Sequence, residues 1–175
     1  MKKNKKKNYI KIGVLGGTFD PPHKGHLHIS KIALKKLNLK KILWVVTKRN
    51  PLKNKPYLKL KDRIKLSKEA TKKSKEISIK YFDDKLRSSN TFDLLNYIKK
   101  RTKADLFFLI GSDNLKKFHK WKNWKQIPKI AKIVIFPRKN YSHKSIATNN
   151  LSKKDFVYIN AKKINISSSL IRKFW

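Results

Sequence analysis

The sequence predicts an α/β domain of the Rossmann-like type, with a parallel sheet covered by helices on both faces. Short apolar segments alternate with segments of helical periodicity along the whole chain, which is the pattern of strands joined by helical crossovers. The apolar segments are continuous rather than alternating, as expected of strands that are buried on both sides. With 175 residues, 39% of them hydrophobic, the chain is long enough for one domain with a sizeable core.

The first half of the chain is expected to contain short strands, rich in β-branched residues, that are separated by amphipathic helices. In chain order these are a strand over 9–15 that ends at two glycines, a helix from His26, a strand over Lys41–Val46, a loop over 47–57, a helix over 60–70 and a strand over 77–82. The first helix carries apolar residues at helical spacing, namely Ile29, Ile32, Ala33 and Leu37. The second is expected to turn Ile64 and Leu66 inward. The loop contains two prolines and has no periodicity.

The second half of the chain continues the same alternation. In chain order we expect a helix over 88–101, a strand over 104–111, a helical segment from Asp113, strands over 132–137 and 156–160, and a closing helix over 166–175. The first of these helices opens with cap-type residues and places Phe92, Leu95 and Ile98 on one face, and the closing helix opens with serines.

The net charge of +37, from 47 Lys and Arg against ten Asp and Glu, allows two interpretations. One is a polyanionic partner such as RNA, DNA or a membrane surface. The other, which we favour, is a generally lysine-rich composition, because the lysines are spread along the whole chain and no arginine-rich patch is present. Nucleic acid is therefore expected as a non-specific partner at most. The charge is also expected to concentrate anionic substrates near the surface.

The composition excludes several classes of protein. The absence of Cys excludes disulfides and thiolate metal sites. No apolar run reaches the roughly 18–20 residues of a membrane span, and the basic start is not followed by a signal-peptide core. We therefore expect a cytoplasmic protein without a membrane partner, with a basic disordered tail over 1–8 and a single domain over 9–175. The oligomeric state does not follow from the sequence.

The stretch GGTFDPPHKGH, residues 16–26, has the features of a phosphate-binding turn. It lies between the first strand and the first helix, at the edge of an open parallel sheet where ligands bind. Gly16 and Gly17 are expected to let the backbone approach a ligand and to adopt positive φ. The free N–H groups at the start of the helix point into the same space. The dinucleotide fingerprint and the Walker sequence are both absent.

His23 and His26 are spaced i, i+3, which places both imidazoles on one face of a first helical turn. A zinc pair would need further ligands and is usually spaced i, i+4. A second role is to cap the helix. The third, contact with phosphate oxygens and with charge that builds on them, fits best. His28 points elsewhere on the helix and is expected to be structural.

A second anion site is expected at the far end of the chain, in ISSSLIR, residues 166–172. The N–H groups and hydroxyls of a serine-rich helix start, with Arg172 one turn later, all favour an anion. Paired with the first stretch, this motif predicts one polyphosphate held between two helix N-termini.

The two terminal motifs resemble the signatures of the HxGH nucleotidyltransferase superfamily. Between them, SSNTFDLL, LIGSDNLKKFHKWKNW and VIFPRKN resemble, in order and spacing, the interior motifs of the nicotinate-nucleotide adenylyltransferase family, and NPLK resembles its substrate loop. The resemblance implies the nucleotidyltransferase form of the Rossmann-like fold and adenylyl transfer from ATP to nicotinate mononucleotide, a step of NAD synthesis. It also implies direct in-line displacement, with Mg²⁺ on the pyrophosphate leaving group and no metal site built from the chain.

The resemblance assigns roles to individual residues. Contacts with the reacting phosphates are implied for His23, His26 and Arg172. Other contacts with ATP are implied for Gly16, Gly17, Thr18, Phe19, Gly111, Asp113, Ile166, Ser167 and Ser168. Contacts with the mononucleotide are implied for Thr91, Trp121, Lys53 and Arg138, the first two around the nicotinate ring as a polar group for its carboxylate and an aromatic plate.

Simpler interpretations stand beside several of these roles. Trp121 could be an ordinary half-buried aromatic residue, Asp113 a helix cap and Phe19 a core residue. Lys53 and Arg138 could be ordinary basic residues of a lysine-rich chain.

Three positions depart from the family pattern. Asn90 stands before Thr91 where Tyr is usual, Leu94 replaces a second Thr, and Ser169 stands where Thr is usual. Two alternatives therefore remain open: an adenylyltransferase that acts on nicotinamide mononucleotide or phosphopantetheine, and a basic RNA-binding protein on the same scaffold.

Overall fold

The computed structural model of the chain describes residues 9–139, 141–142, 144–161 and 166–174, so the predicted tail over 1–8 lies outside the described residues. Six strands form one sheet in the order β3-β2-β1-β4-β5-β6, and every neighbouring pair is parallel. The strands are β1 (Lys11–Gly17), β2 (Lys41–Val46), β3 (Ile77–Lys80), β4 (Asp105–Gly111), β5 (Ala131–Phe136) and β6 (Phe156–Tyr158). The predicted parallel sheet is confirmed.

The order of the strands places a switch point between β1 and β4. From β1 the chain adds β2 and β3 on one side, and then returns to add β4, β5 and β6 on the other. The connections that follow β1 and β4 therefore run to opposite sides of the sheet, and a crevice lies between the carboxyl ends of these two strands. We call the ends of β1, β4 and β5, with the loops that follow them, the carboxyl edge.

Helices cover both faces of the sheet, as predicted. They are α1 (Lys24–Lys36), α2 (Leu60–Thr71), α3 (Asp83–Leu86), α4 (Thr91–Thr102), α5 (Ser112–Leu115), α6 (Ile127–Ile130), α7 (Ile146–Asn150) and α8 (Ser168–Arg172). One face of the sheet packs against α1 and α2 around Ala33, Trp44 and Ile42. The other packs against α4 and the short helices around Leu95, Phe108 and Ile127.

The inner face of α2 agrees with the prediction only in part. Ile64 is half-buried and packs against the core around Trp44, Leu66 is half-buried, and Arg63, Ser67 and Thr71 are buried. The side chain of Arg63 satisfies its donors with backbone carbonyls, as described below, and Ser67 donates to the carbonyl of Arg63 at 2.7 Å. A buried position need not be apolar when its polar groups are hydrogen-bonded, and the apolar pattern of the sequence therefore did not predict these three polar residues on the inner face.

The elements that the sequence missed are too short to have a periodic pattern. Helices α3, α6 and α7 have four or five residues each, which is about one turn. The helical segment predicted from Asp113 is one turn over Ser112–Leu115 followed by 3₁₀ turns. No helix in the described part of the chain combines the length and apolar character needed to cross a membrane.

Candidate active site

The carboxyl edge brings together the glycines and the first helix that the sequence singled out. Gly17 ends β1, Gly111 ends β4 beside Phe136 of β5, and α1 begins seven residues after β1. The predicted positive φ at Gly16 and Gly17 is wrong, because both glycines belong to the strand and no glycine of the chain has a positive φ. A Cβ at Gly16 would come no nearer than 3.8 Å to another atom, the Cε2 of Phe108. The free protein therefore has room for a Cβ at this position.

Phe19 makes the sharp turn between β1 and α1. Its φ is 49°, a strained conformation for a residue with a Cβ. Its ring is 2% exposed and stacks on Trp44 at 5.0 Å between ring centroids. The side chain of Phe19 is therefore a core residue, as one of the simpler interpretations held, and only its backbone is available to a nucleotide.

His23 and His26 form a reciprocal cap at the start of α1. His23 is the N-cap residue rather than part of the first helical turn, and its Nδ1 accepts from the N–H of Gly25 at 3.1 Å. The Nδ1 of His26 accepts from the N–H of His23 at 3.2 Å, and the two rings lie 3.8 Å apart. An Nδ1 that accepts a hydrogen bond carries no proton, so a neutral ring must carry its proton on Nε2. The cap therefore turns each ring into an N–H donor.

Both histidines are held in the neutral form. Burial, and to a lesser extent the positive charge of Arg138, lower the pKa of His23 to about 4. Burial also lowers the pKa of His26 well below 6.5, and His23, Arg138 and Lys53 act in the same direction. Near pH 7 the site therefore offers two neutral donors, while its positive charge comes from the Lys and Arg side chains.

The two buried histidines are expected to make the protein less stable in acid. Their contribution is fully present above the unfolded pKa near 6.5 and is lost as the pH falls through the folded value of about 4 for His23. In that window the unfolded chain binds more protons, so the free energy of unfolding falls by up to about 1.4 kcal/mol per pH unit for each histidine. Urea unfolding measured between about pH 7 and pH 4.5 should give a steeper decline for the wild type than for His23→Gln. Parallel declines would contradict this assignment.

Gly25 is required by the packing of His23. A Cβ at this position would lie 2.9 Å from two atoms of the His23 ring and 3.0 Å from Cγ2 of Ile166. Both contacts are tighter than a normal carbon contact. The glycine between the two histidines thus lets the first ring lie against the helix and lets the C-terminal segment approach it.

The C-terminal motif is docked on the first loop. Ser168 donates from its hydroxyl to the carbonyl of Pro21 at 2.9 Å. Arg172 donates to the carbonyl of Asp20, lies 3.6 Å from its carboxylate and stacks over the ring of Tyr57 at 4.8 Å. Two residues of the predicted second anion site thus lie beside the first. Their side-chain contacts are with protein groups, and Ser167 caps the five-residue helix α8.

Asp20 and Tyr57 were missed as site residues by the sequence analysis. The carboxylate of Asp20 is buried and accepts from the N–H groups of Tyr57 and Leu58, both at 2.9 Å. It therefore joins three segments at the carboxyl edge: the first loop, the loop before α2 and, through Arg172, the C-terminus. Asp20 stands inside the first motif, so its position was a signal, but its partners are distant in sequence.

Gly111, Asp113 and Arg138 form a second cluster at the ends of β4 and β5. The Nε of Arg138 lies 3.3 Å from Oδ1 of Asp113, and that oxygen, which is buried, has no hydrogen-bond partner among the described residues. A Cβ at Gly111 would collide with the Asp113 carboxylate and lie 3.0 Å from Nε of Arg138. The ion pair therefore occupies the space that the glycine leaves.

Lys53 belongs to the exposed loop before α2. Desolvation lowers the pKa of Lys53. Asp113 opposes this shift, while Arg138, Lys117 and Arg172 add to it. The charges of Lys53 and Arg138 also contribute to lowering the pKa of His26.

The residues predicted for the nicotinate ring lie on the α4 side of the sheet. Trp121 is half-buried and packs edge-on against Phe108 at 5.9 Å, the same ring that lies beside Gly16. Thr91 is the first residue of α4, and its side chain makes no hydrogen bond within the described residues. The preceding Asn90 bonds to Ser88 at 3.1 Å instead of capping the helix.

Known proteins resemble this chain over nearly its whole length. A cytidylyltransferase-like family model matches residues 14–174. A probable nicotinate-nucleotide adenylyltransferase of Pelagibacter ubique is 49% identical, covering 97% of this chain and 95% of the relative. A probable nicotinate-nucleotide adenylyltransferase of Clostridium tetani is 33% identical over 93% of this chain and 86% of the relative. The solved Plasmodium falciparum nicotinic acid mononucleotide adenylyltransferase complexed with NaAD superposes with a TM-score of 0.78 at 22% identity, over 95% of this chain and 84% of that one.

Proposed function

The chain belongs to the cytidylyltransferase-like family and, within it, to the nicotinate-nucleotide adenylyltransferases, and from this premise we propose how its site performs that reaction. The enzyme transfers the adenylyl group of ATP to nicotinate mononucleotide and releases nicotinate adenine dinucleotide and pyrophosphate. The observation that carries the assignment of the site is the capped pair His23 and His26, whose Nε2–H groups are free to donate at the start of a 13-residue helix.

The chemistry needs no nucleophile from the protein. A phosphate oxygen of the mononucleotide attacks the α-phosphorus of ATP, and the bond from that phosphorus to the oxygen leading to the β-phosphate breaks in line. Charge grows on the leaving pyrophosphate. The positive end of the α1 dipole and the N–H groups of the two imidazoles favour that charge, because fixed donors in a dehydrated site stabilise a transition state without having to reorient. Arg172, docked on Asp20, lies at the same edge.

Mg²⁺ fits this scheme as part of the substrate. No cluster of three or more His, Cys, Asp or Glu side chains suited to a metal ion is found among the described residues. The ion is therefore proposed to arrive bound to the phosphates of ATP. Its chemistry is to neutralise charge on the departing pyrophosphate.

The mononucleotide acceptor is proposed to bind between the start of α4 and the basic side chains of Lys53 and Arg138. Thr91 offers an unpartnered hydroxyl and N–H groups at the start of a 12-residue helix, which suit the nicotinate carboxylate. Trp121 offers an aromatic face for the ring. Lys53 and Arg138 supply positive charge for the phosphate, and Ile166, Ser167 and Ser168 are proposed to lie on the adenosine side with Gly111 and Asp113.

A comparison of acceptors tests the proposal. With ATP and Mg²⁺, the purified protein should release pyrophosphate with nicotinate mononucleotide at a kcat/KM at least about tenfold above that with nicotinamide mononucleotide or phosphopantetheine, because a site built for a carboxylate leaves polar groups unpaired with an amide. Thr91→Val should raise the KM for nicotinate mononucleotide and leave the KM for ATP unchanged. Preference for either other acceptor would overturn the assignment of substrate.

A further inference from the structure

His28 lines a small cavity that the roles assigned above leave unused. The cavity has a volume of about 40 Å³ and lies between the start of α1, the ends of β4 and β5 and the C-terminal motif. His28 is one turn beyond Gly25, and both residues line it. The helical spacing predicted a structural role for His28, whereas in the fold His28 lines this cavity at the carboxyl edge.

The Nε2 atom of His28 is buried and makes no hydrogen bond with any described residue. A buried polar atom without a partner costs about 1–3 kcal/mol, and most such atoms are paired with protein or water. Other buried side-chain groups of α1 avoid this cost: Ser30, for example, donates to the carbonyl of His26 at 2.8 Å and accepts from Trp44 at 2.8 Å. An imidazole nitrogen that has no partner among the described residues and lies beside a cavity is available to a ligand.

The walls of the cavity define that ligand. Five are apolar, namely Ile29, Phe136, Pro137, Ala161 and Ile166, and Gly25 and Gly111 contribute backbone without side chains. Such a space accepts a flat apolar group with one polar atom at its edge. A water molecule occupies roughly 30 Å³ of the liquid, so the cavity holds the edge of a ring and not a whole base.

The position of the cavity connects this ligand to the phosphates. Gly25, which lines it, is also the residue over which the His23 ring packs, with 2.9 Å to the place of a Cβ. On its other side the cavity is bounded by Arg138 and by Gly111, which is proposed to lie beside the adenosine. A nucleoside triphosphate with its phosphates at His23 and His26 would have its base at this end of the site.

We propose that Nε2 of His28 hydrogen-bonds the edge of the adenine base and so contributes to the selection of ATP. The proposal rests on the ATP site of the proposed function but not on the identity of the acceptor. Because His28 lies on the same rigid helix that the histidine pair caps, its ring is held at a fixed distance from the phosphate donors. A nucleotide bound to those donors must therefore place its base at that distance to reach His28. The hydrogen bond forms with N7 or with the 6-amino group, since the neutral imidazole can donate or accept.

Calorimetric binding to ATP and two analogues tests this proposal in the absence of any acceptor. The analogues are 7-deaza-ATP, which lacks N7, and purine riboside triphosphate, which lacks the 6-amino group. For the wild type, one analogue should bind about tenfold more weakly than ATP, as expected for a lost hydrogen bond in a buried site. In His28→Leu, ATP should bind about tenfold more weakly and that analogue should bind as well as ATP.

A matched control is Lys31→Leu, an exposed position on the same helix, which should bind all three nucleotides in the wild-type order. If His28→Leu does not fold, His28→Gln provides the comparison with a hydrogen-bonding group of different length. An analogue penalty that is the same in wild type and variant would overturn the proposal and would mean that water pairs with Nε2. The acceptor preference measured above fails or holds independently of this result.

Discussion

Replacement of His26 by alanine is expected to lower kcat for adenylyl transfer by about 100- to 1000-fold, the range observed when one fixed donor to a developing negative charge is removed. His26 is the better placed of the two histidines for this role, because it is the third residue of α1 and its ring is fixed on three sides. Its Nδ1 is held by the N–H of His23, and its ring packs on Phe19 at 4.8 Å and on His23 at 3.8 Å. A donor fixed in this way needs no reorganisation as charge develops.

A second variant separates catalysis from capping. Glutamine is the residue that commonly completes a capping box at this helical position, so His26→Gln should keep the midpoint of urea unfolding near that of the wild type. Its kcat should nevertheless stay at least about tenfold below the wild type, because its amide does not reach the position of the imidazole Nε2. The role of His26 would be refuted by an alanine variant with kcat within about threefold of the wild type.

The measurement needs single-turnover as well as steady-state kinetics. If release of the dinucleotide limits kcat, part of the loss at the chemical step is hidden in the steady state. Pyrophosphate formation within the first turnover reports the step in which His26 is proposed to act. The affinity for ATP should fall less than the rate, since the donor gains most from charge that appears in the transition state.

The local patterns of the sequence predicted the sheet and the place of the site. Continuous apolar runs such as 104–111 lie within a few residues of the observed strands, because a strand buried on both faces cannot be anything but apolar. The spacing of His23 and His26 correctly placed both rings near the first N–H groups of α1. Capping of the helix, the second role considered for this pair, is also confirmed, and the reciprocal bonds of the cap fix the tautomer of both rings.

Tertiary contacts determined the features that the sequence did not predict. Phe19 is a core residue because Trp44, 25 positions away, offers its ring a stacking partner. Gly25 is constrained by the ring of His23 and by Ile166 from the far end of the chain. His28 was predicted to be structural because the sequence does not show the cavity that it lines. Other residues of that cavity, such as Phe136 and Ala161, come from β5 and the C-terminal region. None of these contacts has a periodic signal along the chain.

Arg63 is the clearest such case, and its side chain holds together the loops that carry the site. It is 2% exposed, and its guanidinium donates to four backbone carbonyls. These are the carbonyls of Thr18 at 2.6 Å, Thr47 at 2.7 Å, Lys48 at 3.1 Å and Leu58 at 3.1 Å. The first belongs to the loop after β1, the next two to the loop after β2, and the last to the approach to α2. A buried arginine is tolerated because its donors are satisfied in this way.

Arg63→Met is expected to reduce the free energy of unfolding by about 3–5 kcal/mol, because methionine fills part of the volume but leaves several buried carbonyls without a donor. This corresponds to a fall in Tm of about 10 °C for a chain of this size. Arg63→Lys should recover only part of the loss, since one ammonium group cannot reach carbonyls arranged around a planar guanidinium. The exposed Lys65→Met on the same helix is the control and should change the free energy of unfolding by less than about 0.5 kcal/mol.

The same variant is expected to affect catalysis through the first loop. Arg63 donates to the carbonyl of Thr18, which is two residues before Asp20. Asp20 in turn binds Arg172 and the backbone N–H groups of Tyr57 and Leu58. Loss of the guanidinium therefore loosens the segment that binds Arg172, and kcat/KM should fall about tenfold or more at a temperature where the variant is fully folded. A folded Arg63→Met variant with wild-type kcat/KM would show that the guanidinium stabilises the fold without positioning the site.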